Sequence, residues 1–215
     1  RELSRFTSSA TYMLNCMIGN VFLVIIAAVA VIKSGQLTAL LSMVPLELPE
    51  AAPFIPLLVV VIVCMITGIN TISVPSISLE GKSLWLLQSM PIQPIQVLGA
   101  KIRLHLVMNA VPGLIAGAAL CFALKLEFAL SVVILGYIFL FINITATLGL
   151  ILGLKRPNFT WTNEATPIKQ SFNVVIAWLM AWGIVLITCG VFYLLRNTIA
   201  LDDYMIIMIV VAKKL

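Results

Sequence analysis

Residues 76–94 read SISLEGKSLWLLQSMPIQP, and long apolar runs lie on both sides of them. The runs over 54–74 and 104–124 each reach the length of helix, about 20 apolar residues, that crosses a bilayer core. The stretch between them is too short to span, and Gly81, Pro91 and Pro94 break it. It is a connection between two membrane helices. Connections are usually polar, yet this one sets Trp85 among Leu79, Leu84, Leu86, Leu87 and Met90. It reads as a short helix built to be touched by another protein.

The rest of the chain fits that reading. Of 215 residues, 62% are hydrophobic and 10% charged, whereas a soluble domain carries roughly a quarter charged residues. The class is all-α, a polytopic transmembrane helical bundle forming one transmembrane domain over 1–215. In such a chain the net charge of +5 is no nucleic-acid signal. The partner expected around it is the lipid bilayer, with no nucleic acid. Residues 1–9 are too polar for a signal peptide, and the missing initial Met reads as the mark of a fragment. Cys16, Cys64, Cys121 and Cys189 fall inside apolar runs without metal-ligand spacing, so they read as packing residues.

Five runs are long enough to span: 12–32, 54–74, 104–124, 128–154 and 172–195. A sixth, 204–215, is short or truncated and ends near Lys213 and Lys214. Arg1 and Arg5 lie one helical turn apart, with Leu3, Phe6 and Ala10 on another face, which suits an interfacial helix over 1–11. Leu37, Leu40, Leu41 and Val44 recur at helical spacing and suggest an amphipathic helix before the second span. Residues 155–170, KRPNFTWTNEATPIKQ, form the second connection with content. Pro157 and Pro167 stop helices there, and Trp161, Asn163, Glu164, Lys169 and Gln170 lie between or just after them. Thr166 is the expected cap of the fifth span, with Pro167 at its first helical position.

Charge orients the chain. With the N-terminus in the cytoplasm, the inner segments carry Arg1, Arg5, Lys82, Lys101, Arg103, Lys155, Arg156, Lys169, Lys213 and Lys214, and the outer ones carry Lys33, Lys125 and Arg196. Ten against three follows the positive-inside rule. Both loaded connections and both termini then face the cytoplasm, which favours six spans.

No span interior contains Asp, Glu, Lys or Arg. Ion-coupled transporters and voltage sensors place such groups within the membrane, so an energy source outside the bundle is expected. The neutral polar residues Asn70, Asn109, Asn143, Thr145 and Thr147 are candidates for the substrate pathway or for bridging between helices, with bridging the commoner role. Gly113 with Gly117, and Gly149 with Gly153, are spacings at which helices approach closely. Pro112 is expected to kink the third span.

An enzyme is disfavoured. His105 and Asn109 resemble part of the motif of intramembrane abortive-infection-type metalloproteases, but His105 is the single histidine and no Glu-Glu pair occurs. Neither a nucleotide-binding glycine loop nor a Gly-x-Ser-x-Gly elbow is present.

At the central connection the sequence resembles the permeases of ABC-2-type exporters. Glu80, Gly81, Leu84, Leu86, Leu87, Ser89, Pro91 and Ile92 stand where that family has Glu, Gly, a leucine-rich turn and a Ser- or Thr-x-Pro-Ile ending. Trp161-Thr-Asn-Glu164 with Ile168-Lys169-Gln170 resembles the fourth-to-fifth-span loop of large Gram-positive permeases. Glu2-Leu-Ser-Arg5-Phe6 and Tyr12-Met-Leu-Asn15 resemble the opening of their second half. The resemblance implies one six-span half of a twelve-span permease in a bacterial plasma membrane. It implies a coupling helix over 76–94, with Glu80, Gly81, Lys82, Leu84, Trp85, Leu86, Leu87 and Pro91 seated on a separate ATPase subunit. It also implies that ATP and Mg belong to that partner, with no cofactor in this chain. The second half comes from the same polypeptide or from a homodimer. One departure is that 196–203 is too short for the usual re-entrant hairpin between the last two spans. A membrane-embedded binding or assembly subunit without transport fits the same residues.

Within the expected helix over 80–90, Trp85 falls in the polar arc of Gly81, Lys82, Gln88 and Ser89 at 100° per residue. It is the candidate anchor, with the lipid headgroup layer as the alternative setting.

Overall fold

The computed structural model describes residues 2–43, 54–83, 85, 89, 91–163, 165–169 and 171–199. Leu84, Leu86, Leu87, Glu164, Gln170 and the expected last span over 204–215 lie outside the described residues, as do the side chains of Lys82 and Lys169. Every element among the described residues is helical. In chain order these are α1 (Glu2–Ser8), α2 (Ala10–Cys16), α3 (Ile18–Ile32), α4 (Ser34–Met43), α5 (Phe54–Ile69), a 3-10 turn (Ser78–Ser83), α6 (Pro94–Ala123), α7 (Phe128–Lys155), α8 (Ala165–Lys169) and α9 (Phe172–Ile199).

By length and composition α6, α7 and the stretch 165–195, which holds α8 and most of α9, can each cross a membrane. The pair α2–α3, bent by 49°, makes a fourth if it is one span. Helices of this length and composition support a membrane protein. Their outward faces carry large exposed apolar side chains such as Ile32, Phe122, Phe128 and Leu186, the kind of surface that lipid can cover.

Two expected spans are broken. The first is interrupted at Met17, whose ψ of 6° ends α2. Ser9 restarts the helix after α1 because its hydroxyl accepts the Tyr12 amide, an N-cap in the usual sense. The second, expected over 54–74, stops at Ile69. Its 16 residues reach about 24 Å at 1.5 Å per residue, short of the roughly 30 Å hydrocarbon thickness. Residues 70–76 continue as buried, irregular chain. Such backbone is tolerated at membrane depth only inside protein, and here it lies between α6 and α7. Gly149 and Gly153 of α7 make room for it. A Cβ on Gly153 would sit 2.6 Å from the Val74 carbonyl oxygen, and one on Gly149 would collide with Ser73 Oγ. That glycine pair admits a broken chain where the spacing suggested a second helix. Gly113 and Gly117 do face a helix, lying against Ile138 and its neighbours on α7.

The main core joins α3, α5, α6, α7 and α9 through Leu23, Val59, Val63, Ile134, Ile138, Phe141 and Phe192 among others. A second cluster closes one end of the bundle with Phe6, Tyr12, Ile72, Leu79, Leu104, Trp161 and Ile168. The turn between α6 and α7 closes with Lys125 at φ 52°. The Leu126 amide reaches the Cys121 carbonyl, and the Lys125 amide reaches that of Phe122, the Schellman pattern in which glycine usually takes the left-handed position.

Candidate functional site

Three buried polar residues form one stripe of α6. Lys101, His105 and Asn109 recur every four residues, so they share a face. All three are buried, and that face looks at the irregular segment after α5.

At its deep end the stripe meets a consequence of Pro112. Proline has no amide hydrogen, so the carbonyl four residues earlier loses its helical partner. That carbonyl is Met108, and Asn20 Nδ2 donates to it at 2.8 Å. Asn20 Oδ1 accepts from Asn70 Nδ2 at 2.7 Å, and Asn70 Oδ1 accepts the Gly19 amide at 3.0 Å. One chain of bonds thus satisfies the proline gap, the start of α3 and the end of α5. Trp178 of α9 donates to the Ile69 carbonyl at 3.0 Å, covering one of the unpaired carbonyls that a helix C-terminus leaves. Of the neutral pathway candidates, Asn70 therefore bridges elements. Asn143, Thr145 and Thr147 bond back to carbonyls of their own helix. Asn70→Ala should cost about 1–2 kcal/mol, in the range of interhelical hydrogen bonds in bilayers. Asn143→Ala should stay within about 0.5 kcal/mol, as for surface changes. Thermal unfolding of the two variants in detergent checks the contrast, and equal losses would contradict it.

Midway, His105 Nδ1 accepts the Ser73 amide at 3.3 Å, which leaves the hydrogen on Nε2 in the neutral ring. His105 Nε2, Ser73 Oγ and both amide atoms of Asn109 are buried without a hydrogen-bond partner. A cavity of about 10 Å³ lies beside Ser73 and His105, with Asn70, Thr145 and Gly149 among its walls. It is sized for about one water molecule. Among the described residues no three His, Cys, Asp or Glu side chains converge as metal ligands.

At the outer end, Lys101 has a fully buried side chain. Its Nζ lies 2.7 Å from Glu80 Oε1, 3.2 Å from Glu2 Oε2 and 3.2 Å from the Ser76 carbonyl. Glu80 is buried as well, while Glu2 keeps a side-chain exposure of 15%. The expected third span, 104–124, still holds no Asp, Glu, Lys or Arg, because Lys101 and the exposed Arg103 precede it. Helix α6 starts at Pro94, well before the apolar run, and so carries Lys101 and Arg103 into the bundle end.

The two loaded connections meet here. Trp161 Nε1 donates to the Ser78 carbonyl at 2.7 Å, and the Asn158 amide reaches Ser78 Oγ at 3.0 Å. Gly81 lies so close to Phe159 that a Cβ would sit 2.8 Å from its ring. Trp161 is thus an internal bolt between the loops, not a free side chain. Asn163 caps α8 by accepting the Ala165 amide. The α9 start instead uses Ser171, which accepts the Asn173 amide, so the cap expected from Thr166 lies elsewhere. Beyond the bolted turn, Trp85 is 69% exposed, and Ser89 and Pro91 are exposed too.

Sequence reasoning singled out Glu80 and Trp85 but missed Lys101 and Glu2 as their support. The signal was present as the four-residue spacing of Lys101, His105 and Asn109. The chain matches no family model, no curated protein and no solved structure.

Proposed function

We propose that this chain is one six-span half of the membrane permease of an ATP-driven exporter, of the ABC-2 type it resembles. In this reading α2–α3, α5 with its broken end, α6, α7 and α9 are five spans, and 204–215 supplies the sixth. The Lys101 end faces the cytoplasm of a bacterial cell. A separate ATPase subunit binds ATP and Mg, and a second six-span half completes the pathway.

One observation carries the reading. Trp85 is 69% exposed, just past a turn whose base is fixed by Glu80 to Lys101 and by Ser78 to Trp161. An exposed aromatic on a rigid base suits a docking anchor, because little conformational entropy remains to be lost on binding. Glu80 and Gly81 face inward, so their part in coupling is to hold the turn, and Trp85 makes the contact.

Trp85→Ala should leave the protein folded and inserted, since the side chain is mostly outside the core. An anchor of about 2 kcal/mol corresponds to roughly 30-fold in the dissociation constant. The measurement is the affinity of the purified ATPase subunit for the permease in nanodiscs, with wild type and variant side by side. Undiminished binding would put Trp85 in the lipid headgroup layer and leave docking to the loop around Asn163 and Glu164. An ATPase that binds but hydrolyses ATP independently of the permease would favour an assembly subunit without transport.

A further inference from the structure

We infer that Lys101 is a positioning residue that fixes the 3-10 turn preceding Trp85 to helix α6, so that the turn and the helix move as one body. The inference concerns the mechanics of the site just described. Its consequence for export rests on the proposed function.

The ammonium of lysine has three hydrogens and no acceptor. Here three acceptors surround it, Glu80 Oε1, Glu2 Oε2 and the Ser76 carbonyl. They come from the 3-10 turn, from α1 and from the irregular segment after α5. The ammonium itself is on α6. One side chain therefore ties together three stretches of chain that are remote in sequence: α1, residues 76–80 and α6. The pair with Glu80 is the shorter and the more enclosed, and Glu2 braces it from the side nearer water.

Direction matters as much as strength. Apolar packing resists separation but tolerates sliding, because it is non-directional. A buried charge-assisted hydrogen bond specifies distance and angle. Below the clamp, the Ser73 amide meets His105 Nδ1 one helical turn further along the same stripe. The segment is thus held to α6 at successive turns, and a displacement of the 3-10 turn passes to α6.

The test separates positioning from mere stability. Replacing both partners of a buried ion pair by neutral groups of similar size is often tolerated, so Glu80→Gln/Lys101→Met keeps the packing and removes the charges. Spin labels are placed on exposed Ser89 and Arg103, in a background where the four native cysteines are alanine. The wild-type pair should give a narrow distance distribution, and the neutral pair should broaden it at least two-fold while keeping most of the wild-type stability. In the complex with the ATPase subunit, vanadate-trapped MgATP should shift the Arg103 label environment in wild type and leave it unmoved in the neutral pair. A neutral pair with the wild-type width would overturn the inference. If the double variant does not insert, Glu2→Gln serves instead, since Glu2 is partly exposed. It should give an intermediate width, and wild-type width there would equally overturn the clamp. Broadening without any response of the wild-type label to MgATP leaves the clamp standing and sinks the exporter reading alone.

Discussion

Lys101→Met alone should destabilise the protein by about 3–5 kcal/mol, the cost of removing one partner from a buried ion pair. The loss comes from what remains. Glu80 is almost fully buried, and its carboxylate loses the ammonium held 2.7 Å away. The Ser76 carbonyl loses a donor at the same time. Glu80→Gln/Lys101→Met should regain most of the loss, because neither product carries a buried charge. Glu2→Gln should cost far less, since Glu2 keeps access to water. Raising the salt concentration should do little to the Lys101 value, as buried pairs are weakly screened. Unfolding of the purified protein in detergent, followed over denaturant, gives all three numbers. A Lys101→Met variant within about 1 kcal/mol of wild type would show that the cluster is not an enclosed ion pair, since breaking such a pair by one partner is costly.

The helical class and the three long apolar helices α6, α7 and α9 were legible because composition and run length report directly on the solvent around a chain. Trp85 is exposed, but the expected helix over 80–90 begins as the 3-10 turn Ser78–Ser83, Gly81 of the polar arc packs on Phe159, and Gln88 lies outside the described residues. What the apolar runs hid was the breakage at Met17 and Ile69. Hydropathy averages over a window, and residues 70–76 are mixed enough to pass as helix. Their backbone is instead satisfied by side chains from elsewhere, among them Tyr12, whose hydroxyl donates to the Ile72 carbonyl at 2.6 Å. Only the fold brings such partners together. Glu80 shows the same limit from the other side. On sequence it starts a surface helix, where its charge would favour the helix dipole. In the structure it turns inward, because Lys101 lies beneath it. A lysine near a membrane end usually reads as a snorkelling surface charge, so its burial could not be seen until a partner was in place.

Gly19→Ala should be nearly as damaging in proportion to its size, through the other end of the polar stripe. A Cβ at Gly19 would sit 2.5 Å from Asn70 Oδ1 and 2.8 Å from the Ile66 carbonyl oxygen. The second contact is with helix backbone, so it cannot be relieved by rotating a side chain. The start of α3 must therefore draw away from the end of α5. That motion breaks the bond from the Gly19 amide to Asn70. It also loosens the bond from Asn70 to Asn20, and with it the one that satisfies the Met108 carbonyl left open by Pro112. Overpacking and the lost bonds together should cost about 3 kcal/mol. Gly136 in α7 is the control, with nothing within 4 Å of its Cβ position. There alanine relieves the conformational entropy that glycine loses in a helix, and Gly136→Ala should gain about 0.5 kcal/mol. Melting temperatures of the two single-methyl variants should move in opposite directions. A Gly19→Ala variant as stable as wild type would mean that α3 and α5 do not meet at Asn70, and the bond chain from Gly19 to Met108 would fall with it.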